Sequence, residues 1–98
     1  KERRDFVVES LNNIKGLSCL KPEGAFYVFP SCKNLLNKKT KLKTDTGFVQ
    51  KLLEQANVAV VQGSAFGLPG YFRISYATSM ENLKKAMERI KTFCDGLN

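Results

Sequence analysis

Histidine and tryptophan are absent from the 98 residues, and only three cysteines and three prolines are present. Without histidine the chain cannot form most zinc or copper sites, any Ser-His or Cys-His nucleophile pair, or the usual proton shuttle near neutral pH. Cys19, Cys32 and Cys94 are odd in number and form no CxxC pair, so we expect no disulfide framework and a reducing compartment. The composition therefore argues against a self-contained hydrolase or metalloenzyme, and no metal site is predicted.

Long apolar runs are also lacking. No stretch approaches the ~20 residues that span a bilayer, and the chain does not open on a signal-peptide pattern. These absences predict a soluble, cytoplasmic protein. Hydrophobic residues make up 43% of the chain, enough for one compact domain over residues 1–98. Lysine and arginine outnumber aspartate and glutamate by 16 to 9, for a formal charge of +7.

Three segments have the periodicity of amphipathic helices. The first starts at the N-terminus without a capping residue and is predicted to end at Gly16, as expected of a piece cut from a longer protein. The second is predicted to be capped by Asp45. The third follows the capping box Thr78-Ser79-Met80-Glu81 and is predicted to close at Gly96.

Short strands are predicted between these helices. Residues 17–20 and 25–29, joined by a turn at 21–24, suggest an antiparallel hairpin. Residues 31–44 are predicted to be an exposed, mobile connection, and the apolar stretches 58–61 and 71–76 are predicted to be strands. The predicted order is α-β-β-α-β-α. The predicted fold class is α+β, an open α/β sandwich whose small, mostly antiparallel sheet has its helices on one face.

Arg73 is the candidate binding residue of the last strand. Because side chains alternate along a strand, Arg73 lies on the face opposite Phe72, Ile74 and Tyr76. If the helices cover that apolar face, Arg73 points to solvent, to another domain or to a ligand. Its planar guanidinium matches a carboxylate or a phosphate. An ordinary solvated arginine fits the same spacing, so both interpretations stay open.

Other candidate sites have weaker signals. The glycine-rich loop 62–70 contains neither a P-loop nor a dinucleotide-binding motif. The lysines between 38 and 43 could contact phosphates of nucleic acid, but no aromatic residue is interleaved with them. Cys94 is predicted to lie in the core, and nucleophilic roles for Cys19 and Cys32 are not expected. No carboxylate pair for acid–base chemistry is predicted, because the acidic residues are placed on turns or outer helix faces: Glu23, Asp45, Glu54, Glu81, Glu88 and Asp95.

Four motifs, in order and at suitable spacing, resemble the C-terminal small domain of fold-type-I pyridoxal-phosphate aminotransferases. They are PEGAFYVFP at 22–30, VAVV at 58–61, GSAFG at 63–67 and FRISYA at 72–77. The likeness covers essentially the whole chain and is closest to the bacterial aspartate aminotransferases. Gln62 departs from it, because the family commonly has a proline before this glycine.

The resemblance implies a function for the whole protein and a role for two residues. Arg73 would bind the α-carboxylate of an amino acid, and Phe66 would help enclose that substrate. An amino group would pass from an amino acid to a 2-oxo acid with pyridoxal 5'-phosphate as cofactor. The missing large domain would hold that cofactor, so no catalytic or cofactor-binding residue is expected in this chain.

The resemblance also implies a homodimeric parent protein without a nucleic-acid or membrane partner, and an inactive isolated chain. The alternative is a stand-alone basic α+β module that binds nucleic acid or a protein partner.

Overall fold

A computed structural model describes residues 2–21 and 26–98 and contains three α-helices and a three-stranded sheet in this range. The helices are α1 (Glu2–Asn12), α2 (Asp45–Ala56) and α3 (Met80–Leu97), and the strands are β1 (Tyr27–Val28), β2 (Val61–Gln62) and β3 (Phe72–Ser75). Two short 3₁₀ helices span Lys33–Leu35 and Gly63–Phe66. The predicted α+β class with a small antiparallel sheet is confirmed.

The sheet has the order β1-β3-β2, and both pairings are antiparallel. Tyr27 lies opposite Ser75 in the first pair, and Val61 lies opposite Arg73 in the second. β3 is therefore the central strand, and its backbone is hydrogen-bonded along both edges. A side chain on such a strand is held in place with little backbone freedom.

The core lies between the helices and one face of this sheet. Phe48 of α2 packs against Phe72 of β3 at a ring-centroid distance of 5.2 Å and against Phe93 of α3 at 5.6 Å. Val7 and Leu11 bury the apolar stripe of α1 in the same cluster. The predicted alternation along the last strand is confirmed, because Phe72 and Ile74 are buried while Arg73 is only half-buried.

The predicted hairpin between 17–20 and 25–29 is wrong. Ser18 forms a single isolated bridge with Ser31, and β1 pairs with the distant β3 instead. The Asn12 side chain hydrogen-bonds both the N–H and the C=O of Cys19, each at 2.8 Å. These are the backbone groups that a strand ladder would have used. Of the predicted turn at 21–24, the part from 22 onward lies outside the described residues.

The predicted strand at 58–61 is also wrong over most of its length. Val58 and Val60 pack at the margin of the core, but regular pairing starts only at Val61. In the pairing of β2 with β3, Val61 lies opposite Arg73 and Gln62 lies opposite Phe72, so the paired strand begins at Val61.

The predicted helix ends shift by a few residues. α1 ends at Asn12, and Gly16 follows in a left-handed conformation (φ 98°) against Leu35. Thr44, not Asp45, caps α2, because its hydroxyl accepts the N–H of Gly47. The corresponding cap of α3 is Ser79, which accepts the N–H of Asn82, and the helix continues through Gly96 to Leu97.

The segment 31–44 is not the exposed connection that its lysines predict. Cys32, Leu35 and Leu42 are buried in the core cluster. The lysines of this segment alternate with these apolar positions, so the charges stay in solvent while the backbone lies on the protein. The lysine-rich composition of the segment gives no indication that its apolar residues are buried in the core.

The three thiols are free and buried, and the prediction that Cys94 is a core residue is confirmed. Burial raises the pKa of Cys19 to about 11 and the pKa of Cys32 and Cys94 to about 12. The thiolate is the reactive form of cysteine, so nearly all of each thiol is unreactive at neutral pH.

We therefore expect iodoacetamide at pH 8 to label the folded chain at least about a hundredfold more slowly than a free thiol. A rise of about two units in the pKa of a thiol lowers its thiolate fraction at this pH by about a hundredfold. Mass spectrometry of the labelled chain measures the rate. The chain unfolded in urea is the control, in which all three cysteines should react. Rapid labelling of the folded chain at any one cysteine would contradict its burial.

Two general features of the described ranges bear on function. Within 2–21 and 26–98, no helix has the length and hydropathy needed to cross a bilayer. Over the same residues, no group of three or more histidine, cysteine, aspartate and glutamate side chains could hold a metal ion.

Candidate functional site

The Arg73 guanidinium lies between two aromatic rings on the sheet face away from the core. Its Cζ atom is 4.4 Å from the ring centroid of Tyr27 and 4.6 Å from that of Phe66. Tyr27 comes from β1 and faces this side because it lies opposite Ser75. At these distances the rings attract the cation and also restrict its movement. The sheet and one loop thus hold the arginine in a fixed orientation.

Phe66 reaches this position from the 3₁₀ helix Gly63–Phe66. Its ring also packs edge-to-face against Phe29, at a centroid distance of 6.1 Å. Gly63 permits the tight loop, because a Cβ atom there would lie 2.2 Å from the carbonyl oxygen of Leu68. Gly67 then turns the chain in a left-handed conformation (φ 76°) that disfavours other residues.

The edge of the guanidinium is available to an anion. The ion pairs found in the described part of the chain join Arg4 and Lys21 to Asp5, Lys85 to Glu81, and Lys91 to Asp95. Arg73 takes part in none of them. A guanidinium that packs against aromatic rings still has its in-plane N–H donors, which match a carboxylate bidentately. The arrangement is suited to binding a planar anion.

The sequence predicts Asp45 as the cap of α2, on a turn or an outer helix face, and the structure shows that it is buried instead. Asp45 is 3% exposed. One carboxylate oxygen accepts the N–H of Ser64 at 2.8 Å and the other accepts the N–H of Gly70 at 3.2 Å. Burial alone would raise the pKa of Asp45, but hydrogen bonds from Ser64 and Gly70 outweigh it and hold this pKa below its ordinary value. The carboxylate therefore stays ionised at neutral pH.

The sequence assigns Arg73 and Phe66 to one candidate site through the family resemblance, but it does not indicate Tyr27 or Asp45 as neighbours of that site. Tyr27 was an unremarked member of an aromatic strand, and nothing local indicates that this strand pairs with β3. Asp45 follows Thr44 at a helix start, where an aspartate is usually interpreted as a cap. The preceding Thr44 is itself a good capping residue, and this signal could have indicated that Asp45 has a role other than capping.

The lysines between 38 and 43 lie away from the Arg73 site. Lys39 donates to the carbonyl oxygen of Asn98 at 2.9 Å, at the end of α3. The structure therefore does not bring this cluster together with Arg73.

A groove beside the Arg73 site is lined by residues of the 18–21 segment and by Tyr27, Phe29 and Leu68. Lys21 is the basic residue of this groove, and its amino group pairs with Asp5 at 3.0 Å. A cofactor with an aldehyde, a phosphate and a ring nitrogen needs a free amine, an anion site and an acid that converge. The residues around Arg73 supply an anion site but not this full set.

Comparison with known proteins decides the family. The family model described as aminotransferase class I and II matches residues 1–90. The chain belongs to this aminotransferase family. Curated relatives include an aspartate aminotransferase of Rhizobium meliloti (strain 1021), 58% identical over 98% of this chain and 24% of its own length. An aspartate/prephenate aminotransferase of Cereibacter sphaeroides is 50% identical over 98% of the chain and 25% of its own length.

Solved aminotransferase structures share the fold. The aspartate aminotransferase from Rhizobium meliloti superposes with a TM-score of 0.92 at 58% identity, over 96% of this chain and 24% of that one. An alanine aminotransferase from Pyrococcus furiosus gives a TM-score of 0.88 at 39% identity, over 97% and 23%. This aminotransferase chain thus spans about a quarter of the length of its relatives. The alternative of a stand-alone basic binding module finds no support among them.

Proposed function

We propose that this chain is the C-terminal small domain of a pyridoxal-phosphate-dependent aminotransferase of the aspartate type, and that Arg73 binds the α-carboxylate of its substrates. One observation carries the proposal: the Arg73 guanidinium is held between Tyr27 and Phe66 on the open sheet face, and no described carboxylate neutralises it. Both the amino-acid donor and the 2-oxo-acid acceptor carry a carboxylate, so one anion site serves both halves of a transamination.

Arg73 acts by binding and orientation. Two of its in-plane N–H groups hold both oxygens of the α-carboxylate, which fixes the position and the plane of that carboxylate. A fixed orientation lets the Cα–H bond be aligned for cleavage without a further entropic cost in the transition state. The centroids of the Tyr27 and Phe66 rings lie 4.4 Å and 4.6 Å from the guanidinium carbon, which lowers the local polarity and strengthens its attraction for the anion.

Phe66 forms one wall of this site. Its ring covers the guanidinium on the loop side and is 46% exposed. An exposed ring at this point can contact the apolar part of a bound substrate. We infer that Phe66 encloses the substrate next to the carboxylate, while the identity of the preferred side chain is decided by residues beyond this chain.

The cofactor of the proposed reaction is pyridoxal 5'-phosphate, which supplies an electron sink for the carbanion formed at Cα. In the part of the chain that the structure describes, the residues around Arg73 supply an anion site, and Lys21 of the neighbouring groove is paired with Asp5. We therefore assign no cofactor-binding or catalytic residue to residues 1–98. The remaining three quarters of the protein would supply them, in a cytoplasmic homodimer.

The experiment that tests the proposal is a titration of the full-length protein with aspartate after addition of pyridoxal 5'-phosphate. We expect a visible absorption band that shifts on addition of aspartate. Maleate, a dicarboxylate without an amino group, should compete with aspartate because it occupies the carboxylate site. The isolated 98-residue chain is the control, in which no turnover is expected. A protein that forms no such band, or an isolated chain that turns over, would refute the proposal.

A further inference from the structure

The Asp45 carboxylate joins the two ends of the loop that carries Phe66. It accepts the N–H of Ser64 near the start of this loop, at 2.8 Å, and the N–H of Gly70 at its end, at 3.2 Å. The residue lies at the first position of α2, whose N-terminus is itself held by the Thr44 cap. A rigid helix end is therefore connected directly to a loop that has little regular structure beyond one 3₁₀ turn.

Contacts continue from this loop to the guanidinium. Ser64 and Phe66 belong to the same 3₁₀ helix, so fixing the Ser64 backbone fixes the direction from which the Phe66 side chain leaves the loop. The Phe66 ring then lies 4.6 Å from Arg73 Cζ. Asp45 forms no hydrogen bond or ion pair with Arg73, and its effect on the site passes through the loop.

A charged group suits this position better than a neutral one. Asp45 is 3% exposed, and a buried carboxylate is costly unless it is fully hydrogen-bonded. Two backbone N–H donors and the positive end of the α2 dipole meet that cost. A neutral amide at the same place can accept only through its oxygen, while its NH₂ group would face a second N–H donor. The loop would then lose one of its two hydrogen bonds to Asp45.

We propose that Asp45 is a positioning residue for the carboxylate site, which sets the place of Phe66 and thereby the orientation of the Arg73 guanidinium. This inference rests on the proposed function, because the role of Arg73 in binding a carboxylate is part of it.

The test is a steady-state comparison of Asp45→Asn with the unchanged full-length enzyme. We expect KM for the amino-acid substrate to rise about tenfold and kcat to change less than about threefold, because binding geometry is lost while the chemistry is not. In a Phe66→Ala background, Asp45→Asn should raise KM less than about twofold further, since residues that act through one another are not additive. Full additivity of the two substitutions would overturn the proposal.

The matched control is Thr44→Ala, which removes the cap of the same helix without touching the loop. Loss of such a cap weakens the start of a helix, so this variant tests whether destabilisation of α2 alone alters KM. Its KM should stay within about twofold of the unchanged enzyme. An equal rise in both variants would overturn the proposal, because the effect would then be structural only.

Two further variants decide the remaining outcomes. If Asp45→Asn does not accumulate as folded protein, Asp45→Glu replaces it, since it keeps the charge but displaces the carboxylate that accepts the N–H groups of Ser64 and Gly70. A KM increase of about two- to threefold is then expected, and an unchanged KM would overturn the proposal.

Arg73→Ala separates the proposed role of Asp45 from the proposed function of the chain. If it raises KM while Asp45→Asn does not, only the role of Asp45 fails, and if neither does, the proposed function fails as well.

Discussion

Replacing Arg73 by alanine in the full-length enzyme should lower kcat/KM for the amino-acid substrate by about a hundredfold or more. Each charge-assisted hydrogen bond to a carboxylate contributes roughly 1.5–3 kcal/mol, and a bidentate pair contributes two of them. A loss of about 3 kcal/mol corresponds to a factor of about 150. Most of the change should appear in KM, because Arg73 binds the part of the substrate that does not react.

Two companion variants make this measurement specific. Arg73→Lys keeps the charge but not the planar fork, so its kcat/KM should fall between those of the unchanged enzyme and of Arg73→Ala. Arg89→Ala removes an exposed arginine from α3 and should leave kcat/KM within about twofold, as expected of a surface charge. An unchanged kcat/KM in Arg73→Ala would remove the basis of the proposed function.

The second large effect is expected in the core. Phe48 is fully buried, and its ring packs against both Phe72 and Phe93. Phe48→Ala should lower the free energy of unfolding of the 98-residue chain by about 3–5 kcal/mol, from lost burial and the cavity left between α2, α3 and the sheet. Urea unfolding followed by far-ultraviolet circular dichroism measures it, since the chain has no tryptophan to report by fluorescence.

Adjacent leucines of α2 provide the control for this prediction. Leu52 is fully buried and Leu53 is 49% exposed. Leu52→Ala should cost about 2–5 kcal/mol, and Leu53→Ala should cost less than about 1 kcal/mol. Equal losses at the two positions would show that the core is not where the structure places it.

Local pattern was sufficient for part of this fold. The apolar stripes of the helices and the alternation along β3 depend on periodicities of 3.6 and 2, which a sequence shows directly. Helix ends were predicted less well. Thr44 and Asp45 are both good capping residues, and only the position of the glycine-rich loop decides which of them caps and which reaches across to the loop.

Strand pairing was the main failure. The segments 17–20 and 25–29 look like a hairpin because they are close in sequence and separated by turn residues. The structure instead pairs β1 with β3, and the side chain of Asn12 takes the backbone groups of Cys19. Which strands pair depends on the apolar surface that the whole sheet face buries. Residues far apart in the chain contribute to that burial, so no short segment of the sequence shows it.

The sequence by itself determined the family, the α+β class and the face of β3 on which Arg73 lies. The tertiary structure decided what surrounds that arginine. Tyr27 reaches it through the pairing of two strands far apart in the chain, and Phe66 reaches it through a loop attached to Asp45. Periodicity fixes the direction of a side chain relative to its own backbone, whereas its neighbours are fixed only when non-local segments pack together.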